Sequence, residues 1–166
     1  FAYLDMLKQL VDTFPRVTMR QHLDLIVSST CACLASPHAR VQEKACLALQ
    51  SVLEAVEPRK QRFLPHLPQV MAGLKAVISS GVQHGVSFAL TCLVYLILLA
   101  EDAMDPYYNA LFTVFSDLLQ RCTTLETAEI RGKVIEAMVL FHTRINAQYF
   151  PTVVDLIYTT LVRLYQ

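Results

Sequence analysis

Four stretches of the chain open alike: Met19-Arg20-Gln21-His22-Leu23, Phe63-Leu64-Pro65-His66-Leu67, Tyr107-Tyr108-Asn109-Ala110-Leu111 and Tyr149-Phe150-Pro151-Thr152-Val153. They follow one another at spacings of 44, 44 and 42 residues. Seven and eight positions into each opening stand two apolar residues: Ile26 and Val27, Val70 and Met71, Val114 and Phe115, Leu156 and Ile157. An apolar pair that returns after two helical turns marks a helix with one buried stripe. Between the openings runs a second series, Val41-Ala45-Leu49, Val82-Val86-Leu90 and Ile130-Val134-Met138, spaced by 41 and 48 residues. Its i, i+4, i+8 pattern is again that of a helix with one apolar side. Strand signals are weak throughout, and the expected class is all-α.

Two helices in every 40 to 47 or so residues is the HEAT/armadillo period, in which each helix pair leaves an apolar face that only the next pair can cover. The predicted fold is an α-α superhelix, a solenoid of about four repeats with boundaries near 17, 61, 104 and 147. We expect residues 1–166 to form a single solenoid segment. The chain opens at Phe1 within a helical pattern and without an initiator Met, which reads as a fragment of a longer chain. Helices are expected at about 2–13, 18–34, 38–56, 63–79, 82–100, 106–121, 126–144 and 148–164. Ser36-Pro37 and Asp105-Pro106 each set a capping side chain before a proline suited to a first turn, and Thr123-x-x-Glu126 has the form of a capping box. Gly81 and Pro58 are expected to end helices, and Pro68 to kink the start of another.

Composition narrows the function. Of 166 residues 54% are hydrophobic and 17% charged, and 14 Lys+Arg balance 14 Asp+Glu. A neutral chain without a basic run offers no electrostatic footprint for a phosphate backbone, so nucleic acid is not expected as a direct partner. The five cysteines, Cys31, Cys33, Cys46, Cys92 and Cys122, are odd in number and lie in apolar helical patterns. Reduced thiols in the cytoplasm or nucleus are expected, with no disulfide. The apolar run from Val86 to Ala100 is 15 residues long and closes with Glu101-Asp102. Spanning a bilayer takes roughly 20 residues, so a helix sandwiched between repeats is expected and membrane insertion is not.

No constellation carries chemistry. The five histidines, His22, His38, His66, His84 and His142, are spread along the chain at one or so per repeat. Cys31-x-Cys33 with His38 is the one grouping with a ligand-like look, but alternate helical residues point about 200° apart and no fourth ligand stands at a usual spacing. A glycine-rich phosphate cradle, a Gly-x-Ser-x-Gly elbow and a His-Glu-x-x-His pair are all missing. No catalytic residue, metal or cofactor is expected. Tyr107, Tyr108, Tyr149 and Phe150 share one phase of the repeat, which fits packing. Glu43, Glu54, Glu57, Glu129 and Glu136 lie in or beside the second helices, where a solvated face is the plain expectation.

Pro106-Tyr107-Tyr108-Asn109-Ala110-Leu111-Phe112, followed by Ile130-Arg131-Gly132-Lys133-Val134-Ile135-Glu136, resembles two consecutive helices of the importin beta-three (karyopherin beta) nuclear transport receptors. Arg40-Val41-Gln42-Glu43-Lys44-Ala45-Cys46-Leu47-Ala48-Leu49 is similar to the second helix of an earlier repeat in the same family, and the likeness runs from about Val17 to Leu161. The resemblance implies a stretch of a superhelical receptor that carries cargo through nuclear pores, between cytoplasm and nucleus, and releases it to Ran-GTP. It implies that second helices line the concave face and that Glu43, Glu54, Glu57, Glu129 and Glu136 hold basic localisation segments of protein cargo, while the full-length receptor meets Ran and nuclear pore proteins. The family's arginine early in the second helix is present as Arg131 and replaced by Gln42 and Gln83, which predicts an interrupted polar ladder. The alternative is a HEAT scaffold subunit of another complex, of the phosphatase regulatory or chromosome-organising type. A rival of another class is an enzyme accessory domain with a cavity lined by Cys31, Cys92 or His84.

Overall fold

In the computed structural model, residues 2–13, 21–81, 83–144 and 150–164 are described, and among them every regular element is helical. In chain order these are α1 (Ala2–Thr13), α2 (Leu23–Leu34), α3 (Ala39–Val56), α4 (Leu67–Ser79), α5 (Gln83–Ala100), α6 (Tyr108–Arg121), α7 (Ala128–Arg144) and α8 (Phe150–Leu164). The chain divides into two compact units, Phe1–Tyr95 and Leu96–Gln166, with the division inside α5. The expected boundaries near 17 and 147 lie outside the described residues. Those near 61 and 104 fall in the 3-10 segments Glu57–Arg62 and Glu101–Tyr107.

In the first unit, side-chain pairs fix the direction of each helix. Asp5 of α1 pairs with Lys44 of α3 at 2.8 Å, and Asp12, two turns later, bonds Ser51, two turns after Lys44. Both members advance by seven residues, so α1 and α3 run parallel. Gln42 lies beside Gly85, the Cys92 thiol reaches the Cys46 carbonyl at 3.2 Å, and Gln50 lies against Tyr95, so α5 runs parallel to α3 on another side. Asp24 meets His66 at 2.9 Å and Leu34 meets Gly73, which makes α2 and α4 parallel as well. The turn at 35–38 returns α3 along α2. The first unit is thus two layers, α1/α3/α5 and α2/α4. In the second unit α6 and α7 form an antiparallel hairpin, with Tyr108 at the start of one beside Phe141 and His142 at the end of the other, and α8 packs on both.

Small residues set how closely the layers approach. A Cβ at Gly73 would meet Leu34 Cδ1 at 2.9 Å and Leu34 Cβ at 3.2 Å, so glycine lets α4 sit down on α2. Gly81 ends α4 with φ +71°, as its position predicts.

Helix ends account for most departures from the expected boundaries. Pro65 sits in the 3-10 turn Leu64–His66 and Pro68 in the first turn of α4, where a missing N–H costs nothing, so the prolines shift the helix start instead of kinking it. Pro58 likewise opens the 3-10 segment Glu57–Arg62. Ser36-Pro37 also falls short of the helix: α3 starts at Ala39 behind His38, and Ser36 Oγ accepts from the His38 N–H at 3.3 Å in the turn before it. Asp105-Pro106 does not start α6, because Pro106 lies inside the 3-10 segment and α6 begins at Tyr108 behind Tyr107. The capping box is also displaced, since α7 starts at Ala128, too far on for Thr123 to cap it. The turn is closed instead by Thr127 Oγ1, which donates to the Thr124 carbonyl at 3.0 Å. Helix α5 ends at Ala100, before Glu101 and Asp102 as expected, although the stretch His84–Arg121, counted on through the 3-10 segment, is long and apolar enough by length and composition to cross a bilayer. Its residues Val86, Ala89, Leu90, Cys92 and Leu93 are at most 2% exposed, as in a core helix. Glu101 takes φ 47°, a left-handed turn adopted by a non-glycine residue at the end of α5.

Two of the residues at the expected ladder position, Arg131 and Gln42, bond within their own hairpins. Arg131 Nη1 donates to the carbonyls of Cys122 (2.9 Å) and Thr124 (3.3 Å), holding the turn that leads into α7. Gln42, at the same place in α3, donates from Nε2 to the Ser36 carbonyl at 2.9 Å and holds the turn that leads into its own helix. The substitution therefore preserves the task within the hairpin. Gln42 is 6% exposed, and its loss removes the bond to the carbonyl of half-buried Ser36 and leaves the volume of a buried side chain unfilled. Gln42→Ala is expected to cost about 1–3 kcal/mol in urea unfolding with an unchanged m-value; a loss below about 0.5 kcal/mol contradicts this role.

Candidate functional site

Burial decides where α3 can meet a partner. Gln42, Ala45, Cys46, Ala48, Leu49, Ser51, Val52 and Leu53 are all buried, which leaves a single ridge bearing Arg40, Glu43, Lys44, Leu47, Gln50 and Glu54. Glu43 and Glu54 are eleven residues apart, three turns of helix, so they share that ridge about 16 Å apart. The ridge is polar and partly organised. Lys44 is held by Asp5, whose hydrogen bond and charge raise the lysine's affinity for its proton. Gln50 Nε2 donates to Glu54 Oε1 at 3.0 Å and lies 3.5 Å from the Tyr95 hydroxyl. Tyr95 also bonds the Glu54 carboxylate, and that bond, followed by the carboxylate's charge, raises the phenol above its ordinary value. Helices α3 and α5 thus jointly hold one carboxylate in place and present it beside an aromatic ring.

The sequence-predicted acidic residues divide between the units. Glu43 and Glu54 share the α3 ridge. Glu129 and Glu136 are exposed on α7, seven residues and about 10 Å apart on one side, with half-buried Lys133 between them. Glu57 lies in the 3-10 segment Glu57–Arg62, and its side chain is outside the described residues. Tyr108 of the aromatic set packs against Phe112, Phe141 and His142, while Tyr149 and the Phe150 side chain lie outside the described residues.

Among the described residues, no group of three or more His, Cys, Asp or Glu side chains could hold a metal ion. All five cysteines are free, and burial pushes the Cys31 thiol up to about 11 and raises Cys122 as well. A thiol so poised carries almost no thiolate at neutral pH. Leu119, Gln120, Thr123, Thr160, Arg163 and Leu164 of the second unit line an open cavity of about 380 Å³. None of Cys31, Cys92 and His84, the residues offered for a ligand cavity, is among them, and Cys31 and Cys92 are buried while His84 is exposed.

Sequence reasoning missed the cluster around His142, which is 1% exposed. Its Nδ1 lies 2.6 Å from the Met138 carbonyl, an acceptor only, so Nδ1 carries the proton and Nε2 accepts from the Tyr108 hydroxyl at 2.7 Å. The ring is neutral, and desolvation lowers its pKa below the ordinary 6.5 even though the Met138 bond favours the proton. The sequence signal was the spacing of Tyr108 and His142 at the open ends of a predicted helix hairpin.

No family model, curated protein or solved structure matches the chain.

Two titrations check these placements. The neutral His142 stabilises the fold fully above its unfolded value near 6.5, and that contribution is lost as pH falls from there through the lower folded value. Stability measured in urea is therefore expected to decline on acidification from pH 7 to 5, and His142→Phe to flatten that decline; an identical pH slope in the variant contradicts the assignment. In the difference spectrum between the native chain and Tyr95→Phe, the phenol at 95 should ionise above an ordinary tyrosine. Glu54→Gln should bring it back down, and a midpoint unmoved by Glu54→Gln contradicts the Glu54–Tyr95 bond.

Proposed function

We propose that the chain is a non-enzymatic protein-interaction module, an α-α superhelix of HEAT/armadillo type with about four repeats, and that it works within an importin-beta-type nuclear transport receptor shared between cytoplasm and nucleus. The observation that carries this proposal is the layering of the first unit, in which α1, α3 and α5 lie parallel in one layer and α2 and α4 in another. Such layers arise when helix pairs of one design stack side by side, each sealing the apolar flank of the last. A second support is the equivalence of Gln42 and Arg131, which hold the entry turns of α3 and α7 in the same way.

In this proposal the cargo is a protein segment rich in lysine and arginine, held along the ridges of the second helices. Carboxylates about 10 Å apart, as on α7, match side chains one turn, or three residues, apart on a polyproline II peptide, which rises about 3.1 Å per residue. Charge-assisted hydrogen bonds supply recognition and steer encounter. The ridges also carry Lys44 and Lys133, so selectivity arises from spacing more than from net charge. Ran-GTP and nuclear pore proteins are proposed as partners of the full receptor, with neither nucleic acid nor membrane as a direct ligand.

Two experiments test this. Glu129→Gln with Glu136→Gln is expected to weaken binding of a Lys-rich peptide about three- to tenfold and to flatten its salt dependence; superimposable titrations remove this site. In a pull-down of the intact protein, GTP-loaded Ran is expected to release bound cargo. Cargo retained equally with and without it contradicts the receptor assignment and leaves the scaffold alternative.

A further inference from the structure

Of the carboxylates on the ridges, Glu54 stands in surroundings of its own. It is exposed, yet its hydrogen-bond partners among the described residues are both neutral: Gln50 Nε2 donates to its Oε1 at 3.0 Å, and the Tyr95 hydroxyl bonds it from α5. Gln50 Nε2 also lies 3.5 Å from the Tyr95 hydroxyl, so the three side chains close a ring across two helices. The other ridge acids sit beside lysines. Lys44 feels the charge of Glu43 as well as that of its partner Asp5, and Lys133 stands between Glu129 and Glu136. The cations of the α3 ridge, Lys44 and Arg40, lie ten residues or more before Glu54, about 15 Å away and beyond. Glu54 therefore carries a negative charge that its own fold orients but does not balance.

Holding a carboxylate still matters to one kind of cation more than to another. A carboxylate offers about four acceptor positions, and two donors leave about two, the number that the fork of a guanidinium takes. A fixed carboxylate suits that flat, directional pair of donors, while an ammonium is a point charge that gains little from it. The half-buried Tyr95 ring favours the guanidinium again, because that group is the less strongly hydrated cation and packs on aromatic rings. Helices α1, α2 and α5 already cover α3 on its other sides, and the ridge is what they leave open, so a neighbouring helix pair does not close it. We infer that Glu54, Gln50 and Tyr95 form an arginine site: Glu54 takes the guanidinium of one arginine in a protein segment lying along the α3 ridge, and Gln50 and Tyr95 are positioning residues that act through the carboxylate. This site rests on the proposed role of the ridges as seats for basic segments, and narrows it here from basic side chains in general to arginine.

Fluorescence anisotropy on the 166-residue chain tests this with two labelled peptides, alike except that one carries arginine where the other carries lysine. The arginine peptide is expected to bind about three- to tenfold more tightly. Tyr95→Phe keeps the ring and loses the hydroxyl, and should reduce that preference to less than about twofold with little change in affinity for the lysine peptide. Glu54→Gln should abolish the preference, and the side-chain amide resonances of Gln50 should move when the arginine peptide is added. Circular dichroism checks the helix content of each variant, and Gln50→Ala supplies a second variant at the same carboxylate. The proposal is overturned by equal affinities of the native chain for the two peptides, or by an arginine preference that Tyr95→Phe and Glu54→Gln leave unchanged. Either result, with both peptides bound and Glu129→Gln with Glu136→Gln still weakening the lysine peptide, leaves the role of the ridges standing, whereas a native chain that binds neither peptide overturns both.

Discussion

Burial of α3 on every side but one is the constraint from which most of the first unit follows. Ala45, Ala48, Leu49 and Val52 are fully buried, and Cys46 and Leu53 nearly so. Each large apolar side chain removed from water contributes about 1.5–3 kcal/mol, a gain that exists only while α1, α2 and α5 cover their respective sides. An isolated helix of this composition has no stable apolar face to present to water. The layered stacking is therefore the condition for α3 to be a helix in this chain at all.

Close packing also settles where polar groups can go. Alanine, glycine and cysteine at the contacts bring backbones together, and the polar atoms caught there find backbone partners: the Cys92 thiol bonds the Cys46 carbonyl, Gln42 the Ser36 carbonyl and Thr30 the Ile26 carbonyl. The remaining polar side chains of α3 are confined to its narrow ridge. That confinement aligns Glu43 with Glu54 and brings Gln50 and Tyr95 to the same carboxylate. The same logic in the second unit buries His142 as a neutral ring and leaves Glu129 and Glu136 on the exposed side of α7.

Helices were legible in the sequence wherever an i, i+4, i+8 series was long, as at Val41-Ala45-Leu49, because burial on one side imposes that period directly. Their ends were less so. Pro65, Pro68 and Pro106 fit a 3-10 turn as readily as a first α-turn, and Thr123-x-x-Glu126 has a capping pattern that the chain path, with α7 starting at Ala128, does not use. The ridge acids followed from helical spacing. Tyr95 did not, because it lies within an apolar run whose composition says buried while its phase on the helix brings its hydroxyl to Glu54. The role of Gln42 was hidden for a related reason: a long amide can reach six residues back to a carbonyl, and residue type alone does not reveal that reach. The resemblance to transport receptors rests on a few short motifs.

Native-state hydrogen exchange, resolved to single amides, tests side-by-side stacking most directly. If each helix is stabilised by the neighbours that cover it, the central amides of α3 and the buried part of α5 exchange only through global unfolding. Those of α1 and α8, each with exposed apolar residues such as Tyr3 and Tyr158, open in smaller steps of lower free energy. Equal protection of α1, α3 and α8 at the global value would show a single all-or-none bundle and contradict the account.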